Sequence, residues 1–587
     1  MECTNFKVFD EKMTEIEKDL KNSVNNFTIS MKNFVDGPLI ISDPGIYTIN
    51  EDITLDFNAQ NDYRVNETLS EQPPFVLDHF SGIIIKSTHV ILDLNGHTIK
   101  MSEKFALQQR FFAIIELASS PFLPGQGPAD FGPIIESSRW TMIRNGNIGR
   151  SSHHGIKGNK SSFVILKNLN IQDFEVAGIA LNGGKCFKTQ KVQIGPNCQN
   201  LPVLGTYSAA RFLPKFYAKL KTIATLDEWN AAKPKFDALN NALNQVVAEV
   251  LKNGETSIGV FRNEKRVPDG NNYGVLFHPP GLAVHDYINR DISQTCDNVY
   301  LSDVSVKDIK VNVREVVGLS ANKDGTGIQL DPSGSVFPIT TLVDFDGTYK
   351  GNVLSDAQIA AAEIANRHGA QIGKLSIKPE VVEWAKGNTS IVDVLNLGYT
   401  YKCGGDIMFH LAKPLHGFRF DGIMNLKIKR CSVTDLVNIG RMGDDQSCGS
   451  YKKSHDQQIR FGYHGSDAIG FGFSGVTDAV IRESSIYRLH SDNGSAIGFR
   501  FINGCRKIKL LRTNGDFINC GEFSDGHWFG VNHLGDSASF SADFPNGMPS
   551  AVGIKVEDEN CDVKIETAKI TNLDGPGSNV PIWSLSV

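Results

Sequence analysis

One short phrase recurs along most of this chain: glycine, an apolar residue, a variable residue and, in most copies, a second apolar residue. It reads Gly155-Ile156-Lys157, Gly178-Ile179-Ala180-Leu181, Gly281-Leu282-Ala283-Val284 and Gly327-Ile328-Gln329-Leu330. It returns as Gly417-Phe418-Arg419-Phe420, Gly470-Phe471-Gly472-Phe473, Gly498-Phe499-Arg500-Phe501 and Gly553-Ile554-Lys555-Val556. A second phrase usually follows, as in Val164-Ile165-Leu166-Lys167-Asn168-Leu169-Asn170-Ile171 and Val480-Ile481-Arg482-Glu483-Ser484-Ser485-Ile486. Gly155 and Gly178 stand 23 residues apart, and Gly470 and Gly498 stand 28 apart. The longer spacings, 53 from Gly417 to Gly470 and 55 from Gly498 to Gly553, are read as two steps each. A beat of roughly 20–30 residues built from short strands marks a solenoid.

Strand alternation sends the apolar residues of the phrase inward and the variable residue outward. Stacked coils repeat about every 4.8 Å, so inward Ile, Leu, Val and Phe form continuous columns. The recurring glycine suits a turn or a close backbone approach, and Gly327, Gly417, Gly470, Gly498 and Gly553 are expected in register along one side. Asn95, Asn145 and Asn168 occupy one turn position, where Asn tolerates a left-handed backbone and stacked amides bond one another. A leucine-rich frame, a six-residue beat and a four-stranded blade of about forty residues are all missing.

The phrase Val90-Ile91-Leu92-Asp93-Leu94-Asn95-Gly96-His97-Thr98-Ile99 resembles the strand-and-turn wording of right-handed parallel β-helices, the pectin-lyase-like superfamily. The resemblance spans roughly 80–330 and 405–575. It implies an all-β solenoid, a right-handed parallel β-helix, here with two helical insertions. That superfamily holds pectate lyases, polygalacturonases, epimerases, phage tailspikes and non-catalytic surface proteins, and similar β-helices occur in large DNA viruses. Most handle polysaccharide, which the resemblance implies and the repeat does not show.

Six segments are expected. Residues 1–35 form a helical lead-in or cap, with Phe9, Met13, Ile16 and Leu20 at helical spacing. Capping the solenoid end is the expected role, because exposed ends must be covered. Coils occupy 36–204, apart from an ordered loop between Ser102 and Arg139. A helical insertion fills 205–255, where Phe236, Leu239, Leu243, Val246, Val247 and Val250 recur at three- and four-residue spacing. Coils resume over 256–335. A second, partly helical insertion covers 336–400, with Ser355 as N-cap, a helix from Ala357 to Asn366 and a stop at Gly369. Coils close the chain over 401–587.

The 587 residues are 41% hydrophobic and 21% charged, ordinary for a folded chain, and the net charge of −6 offers nothing to a nucleic acid. No apolar run is long enough for a membrane span. The ten cysteines show no metal-ligand spacing, so neither a metal nor another cofactor is expected. Cys431, Cys505 and Cys561 fall inside repeat phrases as small core residues. Cys186 and Cys198 could close a loop, although few disulfides are expected of an intracellular protein. The opening Met1-Glu2-Cys3-Thr4-Asn5 does not read as a signal peptide, which suits assembly inside a cell and a place on a virion surface.

Three constellations are candidates for function. The outward row of the phrase carries Lys157, Arg419, Arg500 and Lys555 and no acid, a basic stripe suited to uronates, sulfates or phosphates. Arg419 and Arg500 are expected about three coils, or roughly 14 Å, apart. The loop carrying Asp525, His527, Trp528 and His533 pairs an aromatic platform with polar tips, which suits a sugar. Asp444, Asp445 and His464, followed by Arg506-Lys507-Ile508-Lys509, resemble in order the Asp pair, Gly-His-Gly and Arg-Ile-Lys of polygalacturonases, with Tyr463 standing where that family has glycine. The resemblance implies acid, base and substrate contacts for inverting glycoside hydrolysis. No complete catalytic set falls where the repeat is clearest. The expected function is therefore a non-catalytic surface or structural protein, a virion or cell-coat component that contacts glycans and other structural proteins. A glycoside hydrolase or polysaccharide lyase is the alternative. Oligomers are common in solenoids of this kind, and nothing in the chain sets a symmetry.

Overall fold

The computed structural model describes residues 6–23, 25–57, 80–102, 105–106, 112–120, 134–174, 176–197, 230, 272–279, 296–312, 343–345, 348–349, 352–353, 375–377, 415–439, 467–491, 494–520, 550–575 and 579–584. These residues build a parallel β-helix of two long sheets. One sheet has eleven strands, a single strand from each coil, and the other has seventeen, because most coils cross it twice. Every pairing within these two sheets is parallel, as coils of one hand require.

The glycines form a column in the eleven-stranded sheet. Leu415–Asp421 pairs with Ala468–Ser474, that strand with Ala496–Ile502, and that with Ala551–Val556, so Gly417, Gly470, Gly498 and Gly553 lie in register. Close approach explains the residue type. A methyl on Gly470 would sit 2.7 Å from the Gly498 carbonyl oxygen, and one on Gly498 would sit 2.4 Å from that of Gly553. These direct pairings correct the reading of the longer spacings. Gly417 to Gly470 and Gly498 to Gly553 are single coils whose extra residues sit in connections.

The column also corrects one coil. Between Gly178 and Gly417 the rung is Gly274, in the strand Asn272–His278. That strand pairs directly with Ala177–Asn182 on one side and with Leu415–Asp421 on the other. No rung intervenes for the phrases at Gly281 or Gly327, which lie outside the described residues.

Inside, side chains stack by kind. Phe418, Phe471 and Phe499 have ring centroids 4.6 and 5.0 Å apart and interplanar angles of 2° and 7°. Phe277, Phe420, Phe473 and Phe501 make a second stack at 5.9, 5.4 and 4.8 Å. These intervals follow the coil spacing of about 4.8 Å. Earlier coils fill the first of these columns with Ile156, Ile179 and Val275.

The bends are columns too. Asn145 (φ 57°) and Asn168 (φ 53°) are left-handed, and Asn168 Nδ2 donates to Asn145 Oδ1 at 3.1 Å. Asn95 (φ 52°) is left-handed as well. In later coils the same column is charged: Lys191, Asp303, Arg430, Glu483 and Arg512 all keep positive φ. Arg430 Nε bonds Asp303 Oδ1 at 2.6 Å, and Arg512 Nη2 bonds Glu483 Oε1 at 2.5 Å.

The helix α1, Phe6–Lys21, buries Phe9, Met13, Ile16 and Leu20 as its spacing predicts. It does not cover the solenoid end. It lies along the outer face of the seventeen-stranded sheet, over one register row: Ile46, Ile91, Met142, Ile165, Lys188 and Tyr300. Phe9 meets Trp140 and Phe163 at 5.7 and 5.9 Å, Asp10 pairs with Lys188 at 2.6 Å, and Phe6 meets Tyr300 at 5.3 Å. Sixteen helical residues span about 24 Å at 1.5 Å per residue, which equals five coil steps of about 4.8 Å.

The described residues do not support two helical insertions. Of residues 205–255 only Asn230 is described. Within 336–400 the described elements are short antiparallel strands, Val343–Phe345 with Leu375–Ile377 and Thr348–Tyr349 with Asn352–Val353. The expected helix from Ala357 to Asn366 lies outside the described residues. The segment read as an ordered loop, 102–139, contributes a rung, Phe112–Glu116. Cys296, Cys431, Cys505, Cys520 and Cys561 are free and buried. Cys186 is disulfide-bonded, and Cys198 lies outside the described residues.

Candidate functional site

The long connections single out one face. Residues 56–79, 195–271, 313–414, 440–467 and 521–550 each lead into a strand of the eleven-stranded sheet, and 117–138 and 279–295 each follow one. The bends within the seventeen-stranded sheet are all short, as between Lys429 and Ser432 or Arg482 and Ser485. Variable-length segments thus border both edges of the eleven-stranded sheet, where loops on a rigid scaffold commonly carry function.

The outward positions of that sheet run in register. One row reads Glu116, Lys157, Ala180, Leu276, Arg419, Gly472, Arg500, Lys555 and Trp583. The four bases therefore share one row, as alternation predicts. Arg419 and Arg500 are two coils apart, not three, about 10 Å at coil spacing.

The row is not a solvated basic stripe. Lys157 is 3% and Arg419 6% exposed, and each base has an acid beside it. Glu116 is Lys157's neighbour on the adjacent rung. Arg419 Nη2 stands 2.7 Å from Asp421 Oδ1. Arg500 grips Glu557 with two bonds of 2.9 and 3.1 Å, and Lys555 Nζ reaches the same carboxylate at 3.1 Å. Outward geometry did not bring exposure over most of the row, because both faces of these coils are withdrawn from water: every residue of His154–Asn159, Ala177–Asn182, Leu415–Asp421 and Ala468–Ser474 is buried, whereas Arg500 and Lys555 in the last coils are half-buried.

Burial sets the proton affinities. Glu116 is 1% exposed, and among the described residues neither carboxylate oxygen finds a hydrogen-bond partner. Desolvation raises its pKa to about 8, only partly opposed by Lys157. Desolvation lowers Lys157 to about 8, only partly opposed by Glu116. Glu557 goes the other way. Burial pushes it up, but Arg500 and Lys555 together hold it below the usual carboxylate range.

Histidines join the same face. His154 and His416 sit at the starts of their strands at 4% exposure, and burial holds the His154 ring well below the ordinary pKa, hence neutral. His416 stacks on Tyr273 at 5.2 Å. Gly472 leaves room beneath this group, since a methyl there would lie 3.1 Å from His416 Cδ2 and 3.4 Å from Arg419 Cδ. Asn182 Nδ2 donates to Asn159 Oδ1 at 2.8 Å on a third outward row.

Sequence reasoning missed Glu116, because its strand, Phe112–Glu116, has no glycine and lies within a segment read as loop. It missed His278, Asp421 and Glu557 because they sit just past the repeated phrase. Asp444, Asp445, His464, Asp525, His527, Trp528 and His533 lie outside the described residues. Arg506 lies on the seventeen-stranded sheet, away from this face. Among the described residues no group of His, Cys, Asp and Glu is arranged to hold a metal ion.

No protein-family model matches the chain, and no curated protein sequence matches it. Solved structures align along most of its length at low similarity. The A-module of the Azotobacter vinelandii mannuronan C-5 epimerase AlgE6 is 7% identical with a TM-score of 0.27, covering 94% of this chain and 89% of that one. The catalytic domain of a GH87 α-1,3-glucanase in complex with nigerose is 9% identical with a TM-score of 0.24, covering 96% and 66%. Similarity at this level bears on neither activity nor ligand. The class, a parallel β-helix, rests on the chain's own sheets.

Proposed function

We propose that this β-helix contacts a glycan, and that it does so at the last coils of the eleven-stranded sheet's outer face, where Arg500, Lys555, Glu557 and Trp583 are half-buried rather than buried. One observation carries the reading: this end of the face sets Lys555 over the Trp583 ring at 5.2 Å, beside the Arg500 and Glu557 pair, so an aromatic ring and hydrogen-bonding groups stand together where the row reaches solvent. Since Glu116, Asp421 and Glu557 offset the bases, the face offers hydrogen-bonding groups and matched charge rather than a bare cationic track, which suits a hydroxyl-rich polymer. A contact role without turnover accounts for these features.

A catalytic role is favoured by one specific feature, the Glu116 and Lys157 pair. Both titrate near pH 8, where a group can hold or release a proton at physiological pH. The deciding experiment incubates the full chain with a panel of neutral and uronate-bearing polysaccharides. Retention, new reducing ends and ultraviolet-absorbing unsaturated ends are measured together. Retention without product supports the contact role. Product that disappears in Glu116→Gln or Asp445→Asn, with melting temperature unchanged, supports an enzyme. Neither retention nor product on any polymer would remove the reading.

A further inference from the structure

A different face carries a second lane. In the part of the seventeen-stranded sheet that follows the left-handed column, one outward row reads Asn147, Asn170, Gln193, Ser305, Ser432, Ser485 and Asn514 before ending at Lys569. In a chain with 59 Lys and Arg and 65 Asp and Glu, this row stays uncharged until its last coil. It reaches solvent, since each of these residues is half-buried except Asn514, which is exposed. From Asn170 to Asn514 it runs five coils, about 24 Å.

Three further features point to a ligand. A shallow depression of about 350 Å³ opens on the row, lined by Asn168, Asn170, Lys191, Gln193, Asp303 and Ser305 among others. Beside the far end, Tyr487 and Phe517 are 39% and 41% exposed and meet edge-on at 5.6 Å. Tyr487 belongs to the next outward row, with Lys307, Thr434, Asp516 and Thr571. The borders are largely self-neutralised: Arg430 with Asp303 and Arg512 with Glu483 on one side, Arg488 with Asp435 on the other.

We propose that this lane binds an uncharged polysaccharide laid along the solenoid axis. Amides and hydroxyls can both donate to and accept from sugar hydroxyls, and they repeat at the coil interval. Exposed aromatic rings match the apolar face of a pyranose. An anionic polymer fits less well, because most border cations are already engaged and the scattered Lys191, Lys307 and Lys569, with Asp516 of opposite sign among them, make no continuous cationic track. This site is separate from the eleven-stranded face and does not depend on the function proposed for it.

The test measures retention of the full chain on microcrystalline cellulose, chitin, an insoluble β-1,3-glucan and an insoluble α-1,3-glucan, with polygalacturonate as the anionic comparison. The expected result is retention on at least one neutral polymer, undiminished by added salt. Tyr487→Ala with Phe517→Ala should weaken it roughly tenfold, the scale of one lost aromatic contact. Gln193→Ala with Asn170→Ala should weaken it less. Circular dichroism checks that the fold survives. Lys564→Ala, an exposed residue on the other part of the seventeen-stranded sheet, should leave this retention unchanged. No retention on a neutral polymer, loss in salt, or equal retention by the aromatic double variant would overturn the proposal. If Trp583→Ala alone abolishes retention, binding belongs to the eleven-stranded face and this lane is only a solvated surface.

Discussion

The first and last coils have the same backbone geometry held by different chemistry. Up to about residue 171 the inner column is aliphatic, the left-handed column is asparagine, and α1 covers one outer row. From residue 415 to 502 the inner columns are stacked phenylalanines, and the left-handed column is charged. The difference shows what coil stacking demands. Equivalent side chains stand about 4.8 Å apart, so a column must tolerate its own repetition. Amides do so by bonding each other and aromatic rings by lying parallel. Charges do so only by alternating, as in Asp303, Arg430, Glu483 and Arg512, since like charges at this distance repel.

The comparison breaks most severely at the glycine column. Gly498→Ala should cost about 3 kcal/mol or more, or prevent folding, because the new carbon would lie 2.4 Å from the Gly553 carbonyl oxygen, a backbone atom that cannot give way as a side chain can. Gly504→Ala lies on a neighbouring bend with φ 69° and nothing within 4 Å. It should cost about 1 kcal/mol, from backbone strain alone. Equal losses in denaturant melts would show that contact with the next coil is not what requires glycine.

The next largest effect compares the inner columns. Phe471→Ala should cost about 3–5 kcal/mol and Ile179→Ala about 2–5 kcal/mol, both being fully buried. Phe471→Leu sharpens the comparison, because it keeps most of the volume and loses the stack. A cost under about 0.5 kcal/mol would leave shape, not ring stacking, as what matters there.

How much was legible follows from these columns. The glycines, the inward apolar residues and the left-handed Asn95, Asn145 and Asn168 were readable, because each is a local backbone or packing demand repeated in the chain. Gly274 was not, since Gly281-Leu282-Ala283-Val284 carries the same wording a few residues on and only pairing chooses between them. The bases at Lys157 and Arg419 were correctly placed outward. Their burial depends on the cover of a whole sheet face, which alternation along one strand cannot report.

A smaller effect is expected from Glu116 and Lys157. Glu116 has a folded pKa of about 8 against an ordinary 4.5, so the folded chain keeps a proton the unfolded chain has lost, and stability falls as pH rises between those values. Lys157 has a folded pKa of about 8 against 10.5, so stability falls as pH drops through that upper window. Together they place a local minimum of stability near pH 8. Glu116→Gln should flatten the arm between about 4.5 and 8 in melting temperature measured against pH. An unchanged arm would assign that dependence elsewhere.

The smallest effect belongs to the exposed charge ladder. Arg430→Glu should lower the melting temperature only slightly, and adding Asp303→Arg should restore part of the loss, because the pair is solvent-screened. A large loss from Arg430→Glu would mean that the charged column, unlike an ordinary surface pair, holds its bend.

The lateral seat of α1 has a consequence in time. Its chain precedes every coil, yet its first residue, Phe6, rests against Tyr300 and, as a cation–π partner, Lys427. The row beneath it is assembled one coil after another, and synthesis delivers that row in the opposite order to the helix that covers it. Phe9 and Asp10 find their partners at Trp140, Phe163 and Lys188, but the Phe6 end lacks Tyr300 and Lys427 until those residues have been made and coiled. Complete docking of α1 therefore waits for Tyr300, and it reports that the six coils of the row beneath it have formed in correct register.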